Sequence, residues 1–201
     1  MSSFIGHSIA GLTLFGIQQS TDARLKPSAP QQSLWPKLAW LLGLVFLANI
    51  PDIDYLVPAL RPQIDGLTLR MTHSLVGALL LPGLTVLALK QQASRPNFLL
   101  LAGLSHLGLD LMTGVSTLPL LYPFSSAQFK FPFGLLPSAG RIQLDNYFLY
   151  RNLFIELGVL VPLCLALFAL WRPQLPQRRL ILPVSGLVSG LFMVWAANLS
   201  R

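Results

Sequence analysis

The chain has 201 residues, of which 53% are hydrophobic and only 10% are charged. Soluble domains carry roughly 25% charged residues, so this composition excludes an ordinary water-soluble enzyme. The formal net charge of +7 comes from 14 Lys and Arg against 7 Asp and Glu. Because the basic residues stand singly between apolar blocks, they indicate the loop charges of a membrane protein rather than a nucleic-acid-binding surface.

Long apolar runs predict the membrane-spanning helices, because a bilayer core of about 30 Å needs about 20 apolar residues. Runs of this kind occupy residues 34–50, 73–89, 98–118, 153–171 and 180–199. The opening run, 4–17, is shorter and contains His7, so it suits a further span, an interfacial helix or a half-helix. We predict one all-α domain over residues 1–201, a polytopic membrane helical bundle with five or six transmembrane helices.

The connectors between these runs are rich in Pro and Gly, as expected where helices end. The longest, residues 120–152, contains the run Phe-Lys-Phe-Pro-Phe at 129–133. This alternation suits an interfacial hairpin or a re-entrant flap, and equally an ordinary packed loop. If residues 4–17 span, eight basic residues fall on the side of the connectors 18–37, 90–96 and 172–179, and six on the other. The positive-inside rule then places the first side in the cytoplasm.

Ionisable residues in or beside apolar runs are costly, so they usually face a cavity, a partner or an ion. All three histidines and four of the seven acids lie in such places: His7, His73, His106, Asp52, Asp54, Asp110 and Glu156. His106 and Asp110 are four residues apart, a spacing that places both side chains on one helix face and suits chelation of one ion. Asp52 and Asp54 repel each other unless a cation or hydrogen-bond donors lie between them.

Each feature also has a structural interpretation. His106 and Asp110 suit a hydrogen-bonded pair inside a bundle, Asp52 and Asp54 suit solvated loop charges or helix caps, and Thr72 suits a helix N-cap. The predicted topology favours a shared site, because most of these residues fall toward the same membrane face. That set comprises His7, Asp52, Asp54, His73 and Asp110. Imidazole and carboxylate ligands without a thiolate suit zinc, manganese or iron, and a metal so held can activate water for hydrolysis.

Five short motifs follow one another along residues 3–125: a histidine in the first helix, Pro-Asp-Ile-Asp at 51–54, Thr-His-Ser at 72–74, Ser-His with Asp110 at 105–110, and Leu-Tyr-Pro-Phe-Ser at 121–125. In order and approximate spacing they resemble the YdjM-like membrane-bound metal-dependent hydrolases. That family is in turn distantly similar to zinc-dependent phospholipase C and to the single-strand nucleases that share its multi-zinc fold. The resemblance therefore implies a phospholipase C-like metal site.

The resemblance also implies which residues hold the metal. A first ion would be bound by Asp54 or Asp52 together with His73, His106 and Asp110, and His7 would serve a neighbouring ion. Glu156 would survive as a ligand from a His-x-x-x-Glu helix in which Asn152 replaces the histidine. Family members often carry further histidines where this chain has Tyr55 and Thr68, so one well-supplied site is expected, with a second and third in doubt.

These inferences lead to one functional expectation and two rivals. The expected protein is a zinc-dependent hydrolase of the bacterial inner membrane that acts on a phosphoester, a lipid being one option, with Asp52, Asp54 and His73 as catalytic residues. Its partners would be membrane lipids and the phosphoester, without nucleic acid, and the charge count places its site on the extracytoplasmic side. The rivals are an ion or proton carrier that uses the same His and Asp residues, and a scaffold whose metal only staples helices.

Overall fold

The computed structural model describes residues 2–25, 33–64, 66–89, 96–138, 143 and 145–199. Five of the basic residues on which the predicted membrane orientation depends lie outside these ranges, namely Lys26, Lys90, Arg95, Arg141 and Arg201. Most of the connector 90–96 lies outside them as well.

Six α-helices form the described part of the chain, which confirms the all-α fold. They are α1 Phe4–Leu25, α2 Leu34–Asn49, α3 Leu75–Leu89, α4 Asn97–Thr113, α5 Tyr147–Trp171 and α6 Arg178–Ala197. Three short 3-10 helices, Ile50–Tyr55, Pro58–Leu60 and Met71–His73, link α2 to α3. Between the last two lies a small antiparallel ladder of β1 Gln63–Ile64 and β2 Leu67–Thr68.

Three segments are long and apolar enough to cross a membrane: Leu34–Tyr55, Tyr147–Trp171 and Arg178–Ala197. The helices α3 and α4 are also apolar, but they have only 15 and 17 residues. The first helix is longer than the predicted 4–17 run and reaches Leu25. The lengths and apolar composition of the three candidate spans support the membrane protein class that the composition predicted.

Besides the end of α1, the end of α4 and the beginning of α5 differ most from the predicted ones. The helix α4 ends at Thr113 rather than at 118, because Gly114 adopts a left-handed conformation with φ of 59° that stops the helix. The helix α5 begins at Tyr147 rather than at 153, because the Asn146 side chain caps it by accepting a hydrogen bond from the Phe148 amide. The long connector therefore covers 114–146 instead of 120–152.

The predicted hairpin in this connector is reduced to one bridge in the described residues. Leu118 and Phe129 exchange two backbone hydrogen bonds of 2.8 and 2.9 Å, and the aromatic side chains at 129, 131 and 133 are exposed. Farther along, the amides of Leu135 and Leu136 both donate to the Met112 carbonyl. The connector thus folds back onto the end of α4.

Helix packing brings four chain segments to one end of the bundle. The helix α1 packs against α2, α4 and α5, while α2 and α3 both pack on α4 and α5 packs on α6. The approach of α3 to α4 is close, because a Cβ at Gly103 would clash with the Ala78 carbonyl. Helix direction alternates along the chain, so the beginnings of α1 and α3 meet the ends of α2 and α4.

Candidate metal centre

Pro51 and Ser74 fix the backbone around the polar residues. Pro51 follows the end of α2 and opens the 3-10 helix that carries Asp52 and Asp54. Ser74, not Thr72 as predicted, caps α3, because its hydroxyl accepts a hydrogen bond of 3.0 Å from the Gly77 amide. The cap at Ser74 leaves His73 in the 3-10 helix just before α3, facing the bundle.

Five side chains meet at this end of the bundle, and we call them the ligand cluster: His7, Asp52, His73, His106 and Asp110. The three histidines and Asp110 are fully buried, whereas the Asp52 side chain is 22% exposed. The convergence that the topology predicted is therefore present in the structure. Asp52 is therefore the member of the cluster whose side chain is accessible from outside the bundle.

Three atoms of the cluster form a triangle with sides of 3.1, 3.4 and 3.7 Å, namely His73 Nε2, His106 Nε2 and Asp110 Oδ2. Ligand atoms about 2.1 Å from a tetrahedral zinc ion lie about 3.4 Å from one another, so the triangle has the size of one tetrahedral face. Asp52 Oδ1 lies 3.5 Å from His73 Nε2 and 3.7 Å from His106 Nε2. The carboxylate thus approaches two corners of the triangle.

The tautomer of His106 suits metal binding. Its Nδ1 lies 2.8 Å from the Ala48 carbonyl oxygen, which can only accept a hydrogen bond. A neutral His106 that donates from Nδ1 therefore presents the Nε2 lone pair to the cluster. The His7 ring stacks on His106 with centroids 3.7 Å apart and planes 13° apart.

Several buried polar atoms of the cluster have no hydrogen-bond partner among the described residues. They are His7 Nδ1, His7 Nε2 and Asp110 Oδ2. Buried polar atoms without partners are costly, and a cation would satisfy Asp110 Oδ2 and the unprotonated nitrogen of His7. Two sets of ligand atoms lie within 4.8 Å of one another, one from His7, Asp52 and His106 and one from His73, His106 and Asp110. These residues could therefore hold a metal ion; zinc, manganese and iron all match the donor atoms, and the choice stays a prediction.

Asp54, expected as a possible ligand, has a different partner in the structure. Both of its oxygens accept hydrogen bonds of 2.6 Å from Arg70, and its Oδ2 lies 3.7 Å behind His73 Nδ1. Burial alone would lower the pKa of Arg70, but the hydrogen bond and charge of Asp54 outweigh it and raise that pKa. Arg70 also reaches Asp52 Oδ1 at 3.3 Å. Asp54 therefore supports the cluster from behind, paired with an arginine that the sequence motifs did not single out.

Glu156 also lies beside the cluster rather than in it. It accepts hydrogen bonds from the Ser2 hydroxyl at 2.6 Å and from the Ser3 amide at 2.8 Å, while the Ser2 amide donates to Asp110 Oδ1 at 2.8 Å. Ser2 thus links the predicted ligand Glu156 to Asp110. Asn152, its predicted companion, donates to the Ser138 carbonyl instead.

The sequence analysis did not single out Ser2 or Ser3, although Ser3 directly precedes the first apolar run, where a helix N-cap is expected. Ser3 caps α1, since its hydroxyl accepts a hydrogen bond from the Gly6 amide at 3.0 Å. Tyr55 and Thr68, which stand where family members often carry histidine, also have local roles. The Tyr55 ring lies under the guanidinium groups of Arg61 and Arg70, at 4.7 and 4.8 Å, and the Thr68 hydroxyl accepts from Gln63 at 2.7 Å.

A comparison with known families identifies the class of the chain. The sequence profile described as "YdjM inner membrane protein" matches residues 1–176. The chain therefore belongs to this family, which confirms the family resemblance and, with the apolar helices, supports a membrane protein. No curated protein and no solved structure shows a significant match. The more distant similarity to phospholipase C stays a prediction.

We predict that His106→Ala and Asp110→Ala each remove most of the bound metal, because each deletes a corner of the triangle. Asp22→Ala is the matched control, since Asp22 lies on α1 about 22 Å along the helix axis from His7. Metal per chain is measured by elemental analysis of detergent-purified protein, with circular dichroism to show that each variant is folded. Equal metal content in all three variants would contradict the assignment.

We also predict that Arg70→Met lowers the free energy of unfolding by about 3–5 kcal/mol, because it leaves the Asp54 carboxylate buried without its bidentate partner. The double variant Arg70→Met with Asp54→Leu should recover most of this loss. Thermal unfolding in detergent measures both. In the single variant Asp54→Asn, metal content should stay near that of the wild type; loss as large as in His106→Ala would instead make Asp54 a ligand.

Proposed function

We propose that this member of the YdjM inner membrane protein family is a membrane-embedded, metal-dependent hydrolase of phosphoesters. The observation that carries the proposal is the triangle of His73, His106 and Asp110, buried on all sides but the one occupied by the accessible Asp52 carboxylate. A divalent metal held there would lower the pKa of a water molecule and stabilise negative charge on a phosphoryl oxygen.

Within this proposal Asp52 is the proton acceptor. An ionised carboxylate only accepts hydrogen bonds, and Asp52 is the cluster member that approaching water meets first. Arg70 holds its Oδ1 through a hydrogen bond of 3.3 Å, and its Oδ2 faces His7 Nε2 at 3.9 Å. Asp54 then acts as a positioning residue, because it fixes Arg70 and lies behind the His73 ring.

Arg61 supports a phosphoester as the substrate. Its side chain is 33% exposed, its guanidinium stacks over Tyr55, and its Nε lies 3.9 Å from Asp54 Oδ2. A planar guanidinium at the margin of the cluster can donate two parallel hydrogen bonds to two oxygens of a phosphate group. We assign it the recognition of the substrate's anionic oxygens.

The position of the cluster relative to the exposed aromatic residues supports a substrate that lies at the membrane surface. Large exposed aromatic residues lie at the same end of the bundle, among them Phe124, Tyr147, Phe148 and Tyr150. Trp35 and Trp171 are exposed at the opposite end, at the beginning of α2 and the end of α5. Aromatic belts of this kind mark the two membrane–water interfaces, so the cluster lies at headgroup level.

The rival functions differ in what they require of the structure. A carrier needs a polar path across the bundle, but the side chains between α2 and α4 beyond the cluster are apolar, including Leu44, Leu47 and Leu99. A metal staple needs only burial, and the full burial of four cluster members favours it as the second candidate. Catalytic turnover of a phosphoester would distinguish the hydrolase from a protein whose metal only joins helices.

We predict that purified protein with added zinc or manganese hydrolyses bis(p-nitrophenyl) phosphate and that His106→Ala abolishes this activity. Asp52→Asn should keep its metal but lose about 10²–10⁴-fold in rate, because it removes only the proton acceptor. Release of p-nitrophenol and elemental analysis give the two readouts. Metal-loaded wild type without activity on this reporter or on phosphatidylglycerol would contradict the hydrolase and leave the staple.

The cluster is proposed to face the extracytoplasmic side, because the opposite end carries Arg24, Lys37, Arg172, Arg178 and Arg179. We predict that a membrane-impermeant thiol reagent labels Ser126→Cys in cells whose outer membrane alone is opened. Gln174→Cys, at the opposite end, should be labelled only after the inner membrane is opened. Both variants are made with Cys164→Ala, which removes the native thiol, and the reverse pattern would invert the orientation.

A further inference from the structure

A cleft of about 310 Å³ lies between α2 and α3. Both helices pack on α4, which supplies the floor at Leu99. Trp40, Gly43 and Leu47 line it from α2, and Leu81 and Leu89 from α3. The Trp40 indole donates to the Gln18 side chain at 2.5 Å and the Thr85 hydroxyl donates to the Leu81 carbonyl at 2.8 Å. The other lining residues are apolar, so the cleft presents an almost wholly apolar surface.

The surroundings of the cleft determine what occupies it. It opens on the outer face of α2, which belongs to one of the candidate spans, and the neighbouring Leu42, Phe46 and Leu84 are more than half exposed. At this depth the medium is hydrocarbon, and an apolar lining selects neither water nor a polar ligand. The lining runs along α2 from Ala39 to Leu47, about 12 Å of helix axis, which is an elongated shape suited to a chain.

The end of the cleft nearest the ligand cluster connects the two sites. Leu47 precedes Asp52 by five residues, and the next residue, Ala48, holds His106 through its carbonyl. A chain that leaves the cleft beside Leu47 and follows the end of α2 would approach the partly exposed Asp52. We propose that the cleft holds an acyl chain of the phospholipid whose headgroup ester reaches Asp52 and Arg61; this inference rests on the proposed function.

Two glycines provide a matched pair of variants. A Cβ at Gly43, in the cleft, and a Cβ at Gly83, on α3 outside the lining, would each meet no atom within 4 Å. Leucine at either position is therefore compatible with folding, but only Gly43→Leu fills the cleft. Trp40 reports on the cleft when it is the single tryptophan, with Trp35, Trp171 and Trp195 replaced by Phe.

The binding test uses single-Trp40 protein in vesicles of phosphatidylglycerol with or without mid-chain bromine, which quenches indole fluorescence on contact. We expect strong quenching that Gly43→Leu reduces at least about twofold by excluding the chain, whereas Gly83→Leu leaves it unchanged. Equal quenching in all three proteins would overturn the cleft as a chain site, whatever the enzyme's activity.

The activity test compares phosphatidylglycerol with bis(p-nitrophenyl) phosphate. We expect Gly43→Leu to lower lipid hydrolysis about tenfold or more, because the headgroup is no longer positioned, and to leave the soluble reporter unchanged. Gly83→Leu should change neither. Equal loss on both substrates would overturn the link between cleft and headgroup. A wild type that hydrolyses neither substrate, yet shows Gly43-dependent quenching, would refute the proposed function and retain the chain site.

Discussion

Two carboxylates and three imidazoles share one buried space, and their charge must be balanced inside an apolar bundle. Asp110 is fully buried, Asp52 is partly exposed, and His73 lies between them, close to both carboxylates. An unpaired carboxylate in such surroundings is strongly disfavoured, so protons on the rings or a bound cation must supply positive charge. A cation held by His73, His106 and Asp110, or by His7, Asp52 and His106, could supply that charge.

The remaining polar contacts hold the cluster in the conformation that this balance requires. Ala48 orients His106 by a backbone carbonyl, Thr72 lies 3.1 Å from His73 Nδ1, and Ser2 donates to the oxygen of Asp110 that faces His7. The Arg70–Asp54 pair is neutral as a unit and adds no net charge to the buried space. Such outer contacts set ring orientation and tautomer, which is why a pattern of ligands alone describes only part of a metal site.

Much of the site could be predicted from the sequence, because two regularities are strong. The i, i+4 spacing of His106 and Asp110 fixes a shared helix face, and the alternation of helix direction brings His7, Asp52 and His73 to the same end. The choice between Asp52 and Asp54 could not be made from the sequence, since it depends on the hydrogen bonds from Arg70 to Asp54. These two residues are 16 positions apart, and a 3-10 helix and the small β-ladder lie between them. The helix ends were missed for a local reason: Gly114 and Asn146 act through backbone conformation and capping, which hydropathy does not register.

The origin of the cluster residues bears on how the protein is made. All five come from the segment between His7 and Asp110, so the helices α1 to α4 contain the complete donor set before α5 and α6 leave the ribosome. The residues that could hold a metal ion are thus all synthesised before the last two helices. Glu156, on α5, accepts hydrogen bonds from Ser2 and Ser3 and so joins the later part of the chain to the end of the bundle that carries the cluster.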